Sequence, residues 1–210
     1  MVVKLVIFDI DGTILQTYSW QFLHQHLNTW ETAQGYNRQF FNHQITYQQW
    51  ARLDAALWKN QPITRVRQII DKMPYTEGAK ATLSALQQAG IKTYLLSAGL
   101  TQVAQRIQRE TGVDGARANR LIVKDGALTG QVEVNVAFRS KDKHLPSILQ
   151  EFDIMREECA AVGDDLTLVP LFRQVGLAIA FNPVDKTVET HADVVIRSND
   201  LRNVLPHILR

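Results

Sequence analysis

The chain has 210 residues, 45% of them hydrophobic, enough for one sizeable core plus a modest accessory unit. Its 23 basic and 21 acidic residues leave a net charge of +2, spread without a dense Lys/Arg run or basic–aromatic interleaving, so no nucleic-acid partner is expected. Cys159 stands alone, which rules out an internal disulfide, and no apolar run approaches the ~18 residues of a membrane span.

Residues 2–8 form an almost unbroken apolar, β-rich run, which predicts a central parallel strand covered on both faces. The run is too short for a secretory signal core and lacks a cleavage site, so a soluble, cytoplasmic protein without membrane partners is expected. Residues 16–75 show no convincing strand. They carry helical stripes instead: Trp20, Leu23, Leu27 and Trp30, then Tyr47, Trp50, Leu57 and Trp58 behind a Thr46 cap, with Pro62 in the first turn of a further helix. This predicts an all-helical insertion holding all four tryptophans, whose rings either pack between helices or line a pocket.

A helix over Thr76–Ala89 is expected to end at Gly90, and another to run from near Thr101 to Gly112. Between them Thr93–Leu96 reads as a strand. Within Arg120–Val136, Asp125-Gly126 separates two β-prone runs and predicts a small hairpin. Cys159–Val162, Leu177–Ala180 and Val194–Ile196 read as further strands. The alternation predicts a doubly wound, mostly parallel, Rossmann-like α/β sheet built from residues 1–15 and 76–210, with residues 16–75 as an inserted all-helical cap.

Four segments carry chemistry. The first strand delivers Asp9-Ile10-Asp11-Gly12-Thr13, two carboxylates at the edge of an open sheet where ligands collect. Their mutual repulsion would be relieved by an oxygen-seeking divalent cation. Ser97-Ala98-Gly99, after the next strand and before a helix, offers a hydroxyl and backbone N–H groups to a phosphate. Ser140-Lys141-Asp142-Lys143 supplies a cation by Lys141 or Lys143. Gly163-Asp164-Asp165 brings carboxylates from another strand end, as a Mg²⁺ site beside a phosphate needs. The six histidines (24, 26, 43, 144, 191 and 207) show no ligand spacing with Cys159 and read as surface or core polar groups.

In order and spacing these segments resemble the four motifs of the haloacid dehalogenase superfamily, in its phosphoserine phosphatase-like branch. Thr76-Glu77-Gly78, Ala118–Val123, Leu128-Thr129-Gly130 and Asp200-Leu201-Arg202 extend the likeness over nearly the whole core. The resemblance implies a Mg²⁺-dependent phosphatase acting on a small-molecule phosphate ester. Asp9 would be the nucleophile, Asp11 the general acid and base, and Lys141 (preferred over Lys143 for its distance to Asp164) the cation. Thr13, Ser97, Ala98, Gly99 and Thr167 would serve phosphate, and Tyr18 and Arg52 the rest of the substrate. Asp9, the Asp11 backbone carbonyl and Asp164 would hold the metal, with Asp165 assisting.

Three positions depart from the pattern. Leu168 replaces the second family aspartate, and Asp165 offers a neighbouring carboxylate instead. Tyr18 stands where relatives place the glutamate that holds an amino group, and Asp54 where they place the arginine that holds a carboxylate. Phosphoserine is therefore expected to be a poor substrate, since each charged end of an amino acid needs an opposite partner. Phosphoryl transfer to another acceptor, and a catalytically degenerate binding module, are the alternatives.

Overall fold

The computed structural model describes residues 2–209. The chain runs β1 (Leu5–Phe8), α1 (Ser19–His26), α2 (Trp30–Phe41), α3 (Tyr47–Ala56), α4 (Ile63–Ile70), α5 (Ala79–Gln88), β2 (Lys92–Leu100), α6 (Thr101–Thr111), β3 (Gly115–Lys124) and β4 (Ala127–Glu133). A 3-10 turn over Lys141–His144 then leads to α7 (Leu145–Phe152), β5 (Cys159–Gly163), α8 (Val169–Phe172), β6 (Leu177–Phe181), α9 (Lys186–Glu189), β7 (Val194–Ile196) and α10 (Leu205–Ile208). Among the described residues the strands form one seven-stranded sheet in the order β4-β3-β2-β1-β5-β6-β7, parallel except for β3 with β4.

Strand β1 lies between β2 and β5, and its four residues are fully buried because successive side chains enter opposite cores. Val6 and Phe8 join the larger cluster, which includes Leu83, Leu86, Val103 and Ile107 of α5 and α6. Leu5 and Ile7 join the smaller one with Leu145, Ile148, Leu171 and Phe172 of α7 and α8. Each such side chain contributes about 1.5–3 kcal/mol of burial. The chain leaves β1 toward β2 on one side and returns to β5 on the other. Their carboxyl ends therefore part at a crevice, and Asp9 stands in it.

The helical stripes resolve as four short helices, and α1 and α2 separate at Asn28, whose φ of 57° cannot continue a helix. Thr46 caps α3 through a reciprocal box with Gln49, and Pro62 is the N-cap of α4. Asp125 and Gly126, at φ 49° and 79°, turn the hairpin between β3 and β4. That hairpin is tied to the helical segment by backbone bonds from Asn60 to Leu128 (2.8 Å), Ile63 to Gly126 (2.9 Å) and Leu128 to Gln61 (2.9 Å).

Three boundaries differ from expectation. Helix α5 begins at Ala79, because Gly78 adopts φ 71° and Glu77 instead bridges to Asp200. Strand β3 starts at Gly115, in a stretch poor in β-formers that pairs in parallel with β2 before the strand goes on to pair with β4. Strand β2 runs on through Ser97-Ala98-Gly99 to Leu100, with a register shift after Leu96, so those residues lie on an irregular strand end that leads through the N-cap Leu100 directly into α6.

On α6, buried Arg106 donates to the carbonyls of Ile70 (2.7 Å) and Met73 (2.8 Å) and to Glu110 (2.9 Å), fastening the end of the helical segment to the sheet layer. Partial burial pushes Glu110 up, but hydrogen bonds from Lys80, Arg106 and Tyr75 outweigh it and hold the carboxyl at about 2. The stabilisation is therefore complete above the ordinary value of 4.5 and is lost as pH falls toward about 2. Glu110→Gln should cost about 1 kcal/mol at neutral pH after discounting for screening. In denaturant titrations the gap between the two proteins should close below pH 4.5. A gap independent of pH would contradict this account.

Candidate active site

Three strand ends and one turn converge on a cavity of about 320 Å³. Asp9, Asp11, Ser97, Gly99, Lys141, Asp165 and Thr167 border one end of it. Asp9 is buried; its Oδ1 accepts the Ile10 N–H (2.7 Å), and its Oδ2 pairs with the Lys141 ammonium. Lys141 has no exposed surface, whereas Lys143 is exposed, so the turn aims only the first of the two lysines inward.

Asp11 Oδ2 accepts the Ser19 hydroxyl (2.7 Å), while its Oδ1 is buried without a partner. Asp164 lies behind the cavity wall, accepting the Thr13 hydroxyl (3.0 Å) and the Tyr18 hydroxyl (3.2 Å). Gly12 makes that approach possible. Its φ of 75° is left-handed, and a Cβ there would sit 2.1 Å from Asp164 Oδ2. Asp165 Oδ1 accepts the Thr167 backbone N–H (2.9 Å) and hydroxyl (2.5 Å). Ser97 Oγ accepts the Gly99 N–H (3.0 Å), which locks the strand end in its irregular shape. A Cβ on Gly99 would meet Ser19 Oγ at 2.6 Å and Asp11 Oδ2 at 2.8 Å, so glycine is required where β2 passes the carboxylates.

Burial raises the Asp9 carboxyl, the Lys141 charge opposes that rise, and the Asp165 charge adds to it. Burial also pushes Asp11 up to about 7, the Ser19 hydrogen bond opposing and the Asp9 charge reinforcing. Asp164 is raised well above the ordinary range by burial and then by the charges of Asp9 and Asp165. Three crowded carboxylates with one lysine leave an excess of negative charge, which a divalent cation would neutralise. Among the described residues no three His, Cys, Asp or Glu side chains form a metal cage. Mg²⁺ does not need one, because it keeps several waters and takes one or two carboxylates together with substrate phosphate. Hard oxygens alone, with Asp11 Oδ1 left unpartnered, fit that ion.

The other end of the cavity is aromatic. Trp20, Trp30, Trp50, Tyr47, Phe41 and Phe138 border it, whereas Trp58 is fully buried and stacks beneath Trp20 at 5.3 Å, so both readings of the tryptophans hold for different rings. Tyr18 reaches the cavity, but Arg52 does not. It is exposed on α3, and the cavity-facing residue of that turn is buried Asp54, because a helix presents Ala51 and Asp54 on one face and turns Arg52 away. Ser19 and His24 border the acidic and aromatic regions but stand in no motif; their only signal was proximity in sequence to Asp11 and to the Trp20 stripe. Leu168 lies in the core, its Cδ1 where a Cβ on Gly163 would be at 2.2 Å, and so contributes nothing polar.

Comparison with known proteins agrees with this geometry. The family model for haloacid dehalogenase-like hydrolases matches residues 6–172. The phosphoserine phosphatase of Methanocaldococcus jannaschii is 32% identical over 208 residues, 98% of this chain and 97% of that protein. The phosphoserine phosphatase of Idiomarina loihiensis is 27% identical, covering 96% of this chain and 91% of its own length. A solved phospho-aspartyl intermediate analogue of phosphoserine phosphatase superposes with a TM-score of 0.86 at 31% identity, over 99% of this chain and 100% of the other. With family motif, full-length relatives and fold in agreement, the chain belongs to the haloacid dehalogenase-like hydrolases and, within them, to the phosphoserine phosphatase-like phosphoric monoester hydrolases.

Proposed function

We propose that this chain hydrolyses a small phosphomonoester through an aspartyl-phosphate on Asp9, using Mg²⁺, and that phosphoserine is a poor substrate. The observation that carries the reading is the meeting of Asp9, Asp11, Ser97, Gly99, Lys141 and Asp165 at one end of a single cavity. A carboxylate of Asp9 attacks phosphorus, and the ester oxygen leaves with the proton of Asp11. Burial keeps Asp11 at about 7, so a protonated population exists near neutrality to serve as acid. Its conjugate base then takes a proton from the water that cleaves the acyl phosphate. Ser97, Gly99 and Lys141 hold the phosphoryl oxygens, the lysine supplying charge where it builds up. Asp9, the Asp11 carbonyl and Asp164 would hold Mg²⁺, which when bound would supply further neutralisation and polarise the phosphoryl group.

Residues 16–75 act in this reading as a cap that excludes water from the phosphoryl centre, over a core of residues 1–15 and 76–210. No helix of the described chain is long and apolar enough to cross a membrane, and the lone Cys159 is buried and free, in keeping with a cytoplasmic setting. The low rank of phosphoserine follows from the charged groups around the cavity. Among the described residues its only lysine or arginine is Lys141, already paired with Asp9, so no cation there awaits a substrate carboxylate.

A phosphate-release screen over a metabolite panel with Mg²⁺ tests the reading, and product analysis with added alcohols separates hydrolysis from transfer. Turnover of phosphoserine well above all other esters would refute its ranking. Asp165→Ala should raise the Mg²⁺ concentration for half-maximal activity by about tenfold, since Asp165 and its Thr167 bonds sit beside the proposed metal ligands. Unchanged Mg²⁺ dependence and turnover would remove Asp165 from that role.

A further inference from the structure

Half of the buried polar side-chain atoms left without a hydrogen-bond partner in the described residues belong to the cavity: Asp11 Oδ1, His24 Nε2, Trp50 Nε1 and Asp54 Oδ1. The last three lie together at the aromatic end, with His24 Nε2 3.4 Å from Asp54 Oδ1 and the Trp50 indole beside the same carboxyl, so Asp54 is held by long, weak contacts to two ring nitrogens and by no lysine or arginine. Asp54 is 3% exposed and has His24 Nε2 at 3.4 Å as its only cationic-type neighbour. Thr29 Oγ1 accepts the Trp58 indole N–H (3.3 Å) and lies 2.8 Å from His24 Nδ1. The carboxylate is steadied by that imidazole but not neutralised by an arginine or lysine.

Two of the rings around it have their polar ends engaged elsewhere. Trp20 Nε1 and the Tyr47 hydroxyl both donate to the Ala98 carbonyl, at 3.1 and 3.0 Å, so their hydrogen-bonding ends are occupied. Trp20 stacks on Trp58 (5.3 Å) and Trp50 on Phe40 (4.7 Å), and both Trp20 and Trp50 border the cavity. Electron-rich ring faces around a single buried carboxylate attract a cation on a short apolar stem. A polyol would instead draw on the Gln21 and Asn37 amides that also line the cavity, which makes a polyol phosphate the competing ester in the test.

We propose, building on the phosphatase reading above, that the leaving alcohol carries an alkylammonium group seated against Asp54 between these rings, so that the substrates are phosphate monoesters of small amino alcohols. The phosphoryl group then occupies the Asp9 end and the ammonium the Asp54 end of one cavity. Removing the carboxylate of phosphoserine, which leaves phosphoethanolamine, removes the one group this cavity has nothing to pair with.

The test compares kcat/KM, with Mg²⁺ present, for phosphoethanolamine and phosphocholine against propyl phosphate and the neutral tert-butyl isostere of phosphocholine. Phosphoserine, glycerol phosphate and p-nitrophenyl phosphate complete the set. At least one cationic ester should exceed its neutral counterpart by at least about tenfold and should exceed phosphoserine. Asp54→Asn should reduce that cationic-to-neutral ratio to about one. The wild-type ratio stands as a test even where the variant folds poorly. A ratio near one in the wild type, or a polyol phosphate or phosphoserine as the best substrate, overturns the inference while p-nitrophenyl phosphate turnover preserves the phosphatase reading. Failure on every ester, p-nitrophenyl phosphate included, overturns both.

Discussion

Asp9→Asn should lower phosphate release by at least about 10⁴-fold, because the amide keeps the shape of the side chain and loses the nucleophile. The substitution is close to isosteric, so the Ile10 N–H can still be accepted and the cavity wall stays in place. Two electrostatic consequences oppose each other. Repulsion from Asp165 disappears, while Lys141 loses the charge it is buried against. A small change in melting temperature is therefore expected alongside the loss of activity. Turnover within about tenfold of wild type would remove Asp9 from the nucleophile's role and with it the aspartyl-phosphate mechanism.

Lys141→Met should reduce kcat by about 10²–10³-fold, the usual cost of deleting a preorganised charge at a developing anion. Lys141 is fully buried and its ammonium rests on Asp9, so its removal also strands a carboxylate. Breaking one half of a buried pair costs about 3–5 kcal/mol when the remaining charge persists. Here the raised Asp9 carboxyl takes up a proton and softens that loss. Stability measured in chelator, where no cation can substitute, should thus fall by the lower end of that range. The double variant Asp9→Asn with Lys141→Met should recover much of the stability and be no less active than Asp9→Asn alone. Additive losses in both quantities would mean that the two side chains act separately.

Asp54, and not the nearby basic Arg52, borders the cavity. Arg52 and Asp54 are two positions apart on α3, and helical geometry separates them by more than half a turn. A reading that treats them as interchangeable neighbours in sequence gives the cavity a positive charge, whereas the folded helix gives it a negative one. In the proposal above, that single rotation sets the class of leaving group the site would accept.

Much was legible in the chain before any fold was considered. Residues 2–8 announced a doubly buried strand because every side chain there is apolar, and Asp125-Gly126 announced a hairpin because both positions need positive φ. Asp9, Asp11, Ser97, Lys141 and Asp164 stood out because each follows a strand or opens a turn, places where an open sheet exposes its ligand edge. What lay hidden depended on contacts between distant segments. Ser19 has no motif, yet it meets Asp11 at 2.7 Å; Thr13 and Tyr18 meet Asp164 only across the crevice. Strand β2 continues through Ser97–Gly99 because β3 lies alongside it, and β3 begins in residues with little β preference of their own. Local chemistry dictated the strands, turns and reactive side chains, since these follow from backbone preference and alternation. Which rings border the cavity and which carboxylate lies at its far end were decided by tertiary packing alone, because burial and facing are properties of neighbours that the chain brings together only when folded.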